Sequence, residues 1–155
     1  MGGTMRLDRD FSEFIACCVA RDVRFLIVGG YAVAAHGHPR YTKDLDVWTW
    51  VEPNNAQRLT DALQDFGFGS LGLTPADFLE PNAVIQLGYP PKRIDILTAI
   101  DGLAFEQCYP NRMTITIDDV PVPFIDLENL RRNKIASGRP QDLADLDALD
   151  EPPAH

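Results

Sequence analysis

The fold of this chain is decided by residues 28–47, VGGYAVAAHGHPRYTKDLDV. The apolar run 25–28 predicts a short buried strand, and the helix-forming residues 31–35 predict a helix directly after the glycine pair. Gly29 and Gly30 therefore lie where a strand turns into a helix. Such a turn can bind an anion. Glycine lets the backbone approach the anion closely, and the free N–H groups at the start of the helix point at it.

The end of this stretch alternates polar and apolar residues. In a strand, residues i and i+2 share a face, so Asp44 and Asp46 project together while Leu45 and Val47 face the other side. Two neighbouring carboxylates repel each other, and a bound cation removes that repulsion. The pair therefore predicts a metal site, with the solvent face of an edge strand as the alternative.

A third acid follows on a later predicted strand. Asp95 stands between Ile94 and Ile96, which places the acid on one face of the strand and both apolar side chains on the other. If this strand lies beside the one that carries Asp44 and Asp46, three carboxylates converge. Together with a glycine turn, three such acids are what two-metal phosphoryl transfer requires. An ordinary exposed strand residue is the alternative for Asp95.

Composition limits the class of protein and its partners. The length predicts a single domain over residues 1–155, with flexible ends at 1–6 and 150–155. The net charge of -9 argues against sequence-independent binding of nucleic acid through a large basic surface, but it allows a small basic cleft or bound metal ions. No apolar stretch reaches the roughly 18 residues of a membrane span. Three cysteines without metal-type spacing predict reduced thiols in a cytoplasmic protein.

The rest of the chain predicts a mixture of helices and strands. Helices are expected over residues 10–21, 53–66, 103–109 and 126–135, and again after Pro140. Strands are expected over 83–87, 93–97 and 113–117, the first two joined as a hairpin. Pro121 and Pro123 push the run 120–125 toward a sheet edge or a plain extended segment. This order predicts an α+β fold, a mixed β-sheet with helices packed mainly on one side, plus C-terminal helices.

This ordered set of residues resembles the nucleotidyltransferase fold of the DNA polymerase beta superfamily. The superfamily signature is an apolar residue, Gly-Gly or Gly-Ser, a spacer, acid-x-acid and a later acid. The spacer here spans residues 31–43. Within the superfamily, His36-Gly37, the run RYTKD at 40–44, Asn133-Lys134 and the run GRPQDLAD at 138–145 are similar to the minimal AbiEii-like branch. Members of that branch include toxins of toxin–antitoxin pairs.

The resemblance implies a role for each matched residue. Asp44, Asp46 and Asp95 would be the catalytic acids and the ligands of Mg²⁺ or Mn²⁺. The implied nucleotide contacts are Gly29, Gly30, Arg40, Lys43, Lys134 and Arg139. Ordinary surface charge is the alternative for Arg40 and Lys43, and helix-end stabilisation is the alternative for the last two cations. His36 and His38 are expected to form hydrogen bonds near the loop, because magnesium prefers oxygen ligands.

The implied reaction moves a nucleoside monophosphate from an NTP to an acceptor hydroxyl and releases pyrophosphate. The acceptor is RNA, a protein or a small molecule, and the residues do not choose among them. A partner chain of the antitoxin type, or a homodimer, is expected to complete the site. One alternative is a non-catalytic module that binds nucleotide or a partner protein. A metal-binding regulatory domain is another, although it would need no glycine turn.

Overall fold

A six-stranded mixed β-sheet forms the centre of the computed structural model, which describes residues 7–38, 42–88 and 93–150. The strands are β1 (Phe25–Val28), β2 (Asp44–Thr49), β3 (Val84–Leu87), β4 (Arg93–Leu97), β5 (Met113–Ile117) and β6 (Val120–Phe124). The helices are α1 (Arg9–Ala20), α2 (Gly29–Ala35), α3 (Pro53–Phe66), α4 (Phe105–Cys108), α5 (Leu127–Ser137) and α6 (Pro140–Leu149). The predicted α+β fold with a mixed sheet is confirmed.

The order of strands brings distant parts of the sequence together. Across the sheet the strands run β3-β4-β2-β1-β6-β5, so β4 lies directly beside β2. β2 is parallel to β4 and antiparallel to β1, and β3 and β4 pair antiparallel, as the predicted hairpin requires. The link 89–92 of that hairpin lies outside the described residues. This order makes the strand of Asp95 the neighbour of the strand of Asp44 and Asp46.

Burial follows the alternation of the sequence. Leu45 and Val47 of β2 are almost fully buried in the hydrophobic core, whereas Asp44 and Asp46 on the opposite face are partly exposed. On α1, four residues at helical spacing are buried: Phe11, Phe14, Ile15 and Cys18. Apolar side chains thus fix which face of β2 meets the core, and the two carboxylates are left on the other.

Capping residues define the ends of two helices. Asp126 caps α5 by accepting a hydrogen bond from the Asn129 N–H, and Gly138 ends that helix in the left-handed conformation. Helix α1 starts at Arg9, one residue before the predicted start, and its N-cap Asp8 accepts a hydrogen bond from the Asp10 N–H. Within the described ranges, no helix combines the length and apolar character that crossing a membrane requires.

Strand β6 does not lie where its prolines predicted. It is an interior strand between β1 and β5, so the expectation of an edge strand is wrong. It pairs with β5 along its whole length but has a single register pair with β1, Ile27 with Phe124. Pro121 and Pro123 are two residues apart, so both missing N–H donors fall on the same side of the strand. An interior position is tolerated because the pairing with β1 lies beyond both prolines.

Candidate active site

Three carboxylates lie on one face of two adjacent strands. In the parallel pairing of β2 with β4, Asp46 is opposite Asp95 and Asp44 is opposite Arg93. Residues paired in this way point to the same face of the sheet, as do i and i+2 along each strand. Asp95 is buried, with 8% of its surface exposed, and Asp44 and Asp46 are half-buried. The structure therefore brings together Asp44, Asp46 and Asp95, as the spacing of the acids predicted.

The electrostatics of this face are concentrated on Asp46. Burial, together with the negative charges of Asp95 and Asp44, raises the pKa of Asp46 to about 7. The positive charges of Lys134 and Arg93 act in the opposite direction and only partly compensate. A carboxyl with this pKa is half protonated near neutral pH, because its charged form lacks both water and sufficient positive charge. The site thus favours the arrival of further positive charge.

Arg93 is a member of this site that the sequence interpretation missed. Its Nη2 lies 2.8 Å from Asp44 Oδ2, and its Nε lies 2.9 Å from Asp95 Oδ1. One guanidinium therefore bridges two of the three carboxylates. The signal was present in the sequence, since Arg93 and Asp95 stand at i and i+2 of the same predicted strand and so share a face.

The arrangement of donors can be compared with what a divalent metal needs. The three carboxylates offer only oxygen ligands, which suit Mg²⁺ or Mn²⁺. In residues 7–38, 42–88 and 93–150, however, no three Asp, Glu, His or Cys side chains are grouped closely enough to hold a metal ion as they stand. The Arg93 guanidinium holds Asp44 and Asp95 at this point. The ligand chemistry fits a metal, and a metal held by all three acids would compete with Arg93 for Asp44 and Asp95.

The glycine turn lies directly against Asp46. Gly29 has φ +69, a left-handed conformation that residues with a side chain rarely adopt. A Cβ at this position would overlap the Oδ2 atom of Asp46. Helix α2 begins at Gly29, two residues before the predicted start, and Gly30 is buried in its first turn. The backbone of the turn therefore lies against Asp46 with no side chain between them.

The C-terminal helices contribute a second charged cluster. Lys134 is buried, and its Nζ lies 3.0 Å from Asp145 Oδ2 and 3.3 Å from Asp142 Oδ1. Burial of Asp142 is outweighed by hydrogen bonds from Arg139 and Lys134, which hold its pKa below the ordinary value. Lys134 is thus engaged by two carboxylates while its charge still lowers the pKa of Asp46.

The other predicted contacts occupy different settings. Lys43 is exposed immediately before β2, and Arg139 projects into solvent while its Nε donates to Asp142. Arg40 lies outside the described residues. His36 Nε2 lies 2.9 Å from the Ile125 carbonyl oxygen, which confirms its expected hydrogen-bonding role. This contact connects the end of α2 to the end of β6.

Comparisons with known proteins bear on the fold. A proposed nucleotidyltransferase from Thermotoga maritima has a TM-score of 0.56 at 13% identity, over 92% of this chain and 94% of its own. LnuA, a lincosamide antibiotic adenylyltransferase solved with lincomycin bound, has a TM-score of 0.53 at 14% identity, over 94% and 98%. An antigenic nucleotidyltransferase-like protein from Paracoccidioides brasiliensis has a TM-score of 0.50 at 18% identity, over 90% and 74%.

Comparison at the level of sequence gives a different result. No protein-family model matches the chain, and no curated protein matches it significantly. The likeness to the three structures extends over most of the chain in each case. The chain therefore has the fold of the nucleotidyltransferases, as the resemblance of the whole ordered motif set implied.

Proposed function

We propose that the protein is a metal-dependent nucleotidyltransferase, which moves a nucleoside monophosphate from an NTP to an acceptor hydroxyl and releases pyrophosphate. The observation that carries the proposal is the position of the Gly29 backbone against Asp46, on a face that also holds Asp44 and Asp95. An exposed strand face would need no such contact. A site that must bring triphosphate oxygens close to metal ligands needs a backbone turn beside those ligands.

In this proposal Asp44, Asp46 and Asp95 hold Mg²⁺ or Mn²⁺. The raised pKa of Asp46 supports this role, because it reflects burial together with nearby negative charge that Lys134 and Arg93 only partly balance. When bound, the metal ions would neutralise the triphosphate and lower the pKa of the acceptor hydroxyl. Deprotonation of Asp46 accompanies loading, since a carboxylate binds metal in its charged form.

The chain's own residues would then divide the remaining work. The backbone at Gly29 and Gly30 takes the non-reacting phosphates, and Lys43, Arg139 and Arg40 supply positive charge around them. Lys134 favours the charged form of Asp46, because its positive charge lowers the pKa of that carboxyl. Asp95 accepts the proton of the acceptor hydroxyl, which it can do only after Arg93 has released its oxygens.

The acceptor remains open among RNA, protein and small molecules. LnuA, which has the same fold, is an adenylyltransferase for lincosamide antibiotics, and this favours testing small molecules with a hydroxyl group. Membership of the AbiEii-like branch would instead favour RNA or protein, with an antitoxin-like partner chain or a homodimer completing the site. The protein is proposed to act in the cytoplasm.

A non-catalytic module is the second candidate, and one specific observation favours it. Arg93 bridges Asp44 and Asp95, so part of the site is neutralised without any metal. A protein that only bound nucleotide, or a partner, could retain this closed arrangement permanently. The two candidates differ in turnover, and turnover is directly measurable.

The test is to incubate the protein with each labelled NTP and Mg²⁺, in one reaction with total RNA and in another with a small molecule that carries a hydroxyl group. Labelled RNA, labelled protein or pyrophosphate released with a small-molecule acceptor would each support transfer and identify the acceptor class. The matched control is the double variant Asp44→Asn with Asp46→Asn, which keeps the shape of both side chains and should abolish every product. Nucleotide binding without any product would instead support the non-catalytic module.

A further inference from the structure

A surface cavity of about 390 Å³ lies at the end of β1 opposite the glycine turn. Phe25, the first residue of β1, forms part of its wall together with Pro121 and Pro123 of β6. Phe25 pairs with Thr49, whereas the last residue of β1 is opposite Asp46. Phe25 and Val28 are three residue steps apart along β1, which corresponds to about 10 Å at ~3.3 Å per residue. The cavity is therefore distinct from the carboxylate face.

The charge of this cavity is opposite to that of the protein. Arg24, Arg58 and Arg112 line it, and Asp22 is the acid among the lining residues of the described chain. The whole chain carries 23 acidic and 14 basic residues. Three guanidinium groups around one small cavity thus form a local positive region on an acidic protein.

These arginines also differ from the others in their partners. Six arginines of the described ranges form ion pairs with carboxylates: Arg9, Arg21, Arg93, Arg131, Arg132 and Arg139. In the part of the chain that the structure describes, the remaining three are Arg24, Arg58 and Arg112, and none has such an ion pair. The arginines that line the cavity are therefore the ones left available to an external anion.

Aromatic rings hold two of these guanidinium groups in place. Arg112 lies 4.1 Å from the centre of the Tyr109 ring, and its Nη1 donates to the Tyr109 carbonyl oxygen at 3.0 Å. Arg24 lies 5.3 Å from the centre of the Trp50 ring. Tyr109 also stacks on Phe105, so its ring is already covered by protein. The rings orient cations here, and they do not offer a free platform for a nucleobase.

We propose that this cavity binds a small organic phosphate, independently of the transferase activity proposed above. Arginine pairs with phosphate through two parallel N–H···O bonds, and three arginines can hold a phosphate or diphosphate group. Phe25, Pro121 and Pro123 offer an apolar wall for the organic part of the ligand. The volume lies within the range of small-ligand pockets, roughly 300–1,000 Å³.

The test uses inorganic pyrophosphate as the probe, measured by calorimetry with a chelator present and no divalent metal. The double variant Asp44→Asn with Asp46→Asn serves as the background, so that metal-assisted binding at the carboxylates does not contribute. The test variant carries Arg58→Gln and Arg112→Gln in addition to the two background substitutions. Both arginine side chains are exposed, so we expect the fold to persist. Arg9→Gln is the matched control, because Arg9 is an exposed arginine away from the cavity.

We expect the background protein to bind pyrophosphate, the arginine pair variant to lose at least tenfold in affinity, and Arg9→Gln to bind as before. Phenyl phosphate should bind more tightly than inorganic phosphate, because the apolar wall then contributes. An absence of pyrophosphate binding, or equal affinity in the arginine pair variant, would overturn the proposal. So would arginine-dependent binding of a short oligouridylate that is tighter than that of pyrophosphate, since the ligand class would then be an RNA strand.

Discussion

Arg93 and Asp95, two residues apart on one face of β4, form a two-point ion pair, with Nε to Oδ1 at 2.9 Å and Nη2 to Oδ2 at 3.2 Å. Both oxygens of Asp95 are therefore engaged by one guanidinium. The same group reaches Asp44, so a single side chain governs whether two of the three acids are open to other cations. This relationship has a measurable consequence for metal binding.

Replacement of Arg93 should strengthen metal binding. In Arg93→Gln the two carboxylates lose a competing cation, and we expect Mg²⁺ affinity to rise about tenfold, equivalent to about 1.4 kcal/mol. The metal-free variant should also unfold at a lower temperature, because two carboxylates lose their partner. Calorimetry with Mg²⁺ and thermal unfolding measure the two effects.

Arg93→Lys is the matched control, because it keeps the charge and loses the planar fork. We expect the Mg²⁺ affinity of Arg93→Lys to be closer to that of the parent than the affinity of Arg93→Gln is. Equal or weaker Mg²⁺ binding in Arg93→Gln would show that Arg93 does not compete for the carboxylates.

The pKa of Asp46 predicts how pH affects the metal-free protein. Because this pKa is raised to about 7, the folded state keeps a proton that the unfolded chain loses near pH ~4. The free energy of unfolding therefore falls as pH rises from about 4 to about 7, and levels off above that. Asp46→Asn removes this term. Urea unfolding with a chelator, at about pH 5 and about pH 8, should show a smaller loss of stability in the variant than in the parent, and an equal loss would contradict the assignment.

Gly29→Ala should destabilise the protein for two separable reasons. The left-handed backbone costs about 1–2 kcal/mol for a residue with a Cβ, and the overlap with Asp46 adds about 1–3 kcal/mol. Gly72→Ala is a close control, since Gly72 has φ +71 and open space around its Cβ position. Chemical unfolding of both variants isolates the cost of the overlap. If the two substitutions cost the same, the backbone turn does not press on Asp46.

Lys134→Met should be strongly destabilising. It removes the cation that two buried carboxylates, Asp142 and Asp145, share, and an uncompensated buried pair costs about 3–5 kcal/mol. Arg132→Met removes an exposed pair with Glu128 and should have little effect on the unfolding curve. A small effect at Lys134 would show that its ion pairs with Asp142 and Asp145 contribute little to the stability of the fold.

Asp95→Asn should separate binding from chemistry. If Asp95 accepts a proton only in the transition state, the variant binds NTP and Mg²⁺ nearly as the parent does and loses transfer by about a hundredfold or more. Calorimetry and single-turnover transfer measure these two quantities separately. Transfer at the parental rate in Asp95→Asn would show that Asp95 has no role in the reaction.

Much of the site follows from short-range rules in the sequence. The alternation around Asp44 and Asp46 and the single acid between Ile94 and Ile96 fixed their faces, because strand geometry has a period of two. Whether those faces met depended on β4 lying beside β2, and strand order is not a local property. The resemblance to a known superfamily implied that the three acids form one site, but the order of the strands was not predicted.

Two features could not be predicted in the same way. The interior position of β6 depends on where β1 stops pairing, which the prolines themselves do not encode. The interaction of Arg93 with two acids depends on side-chain conformation across neighbouring strands, although its face was predictable. Charged residues on a strand face have several partners within reach, so a sequence restricts the set of ion pairs without choosing one.

The prolines of β6 also explain why there is a space beside β1 at all. A complete ladder of hydrogen bonds would draw two neighbouring strands to a spacing of about 4.8 Å and close the gap between them. Pro121 and Pro123 cannot supply the donors for such closure, and the strands meet in register only at Ile27 and Phe124. Pro121 and Pro123 therefore border the arginine-lined cavity on the part of β6 that has no register pair with β1. With Pro121→Val and Pro123→Val both donors are restored, and we expect the pairing of β6 with β1 to lengthen toward Phe25 and the cavity to become smaller.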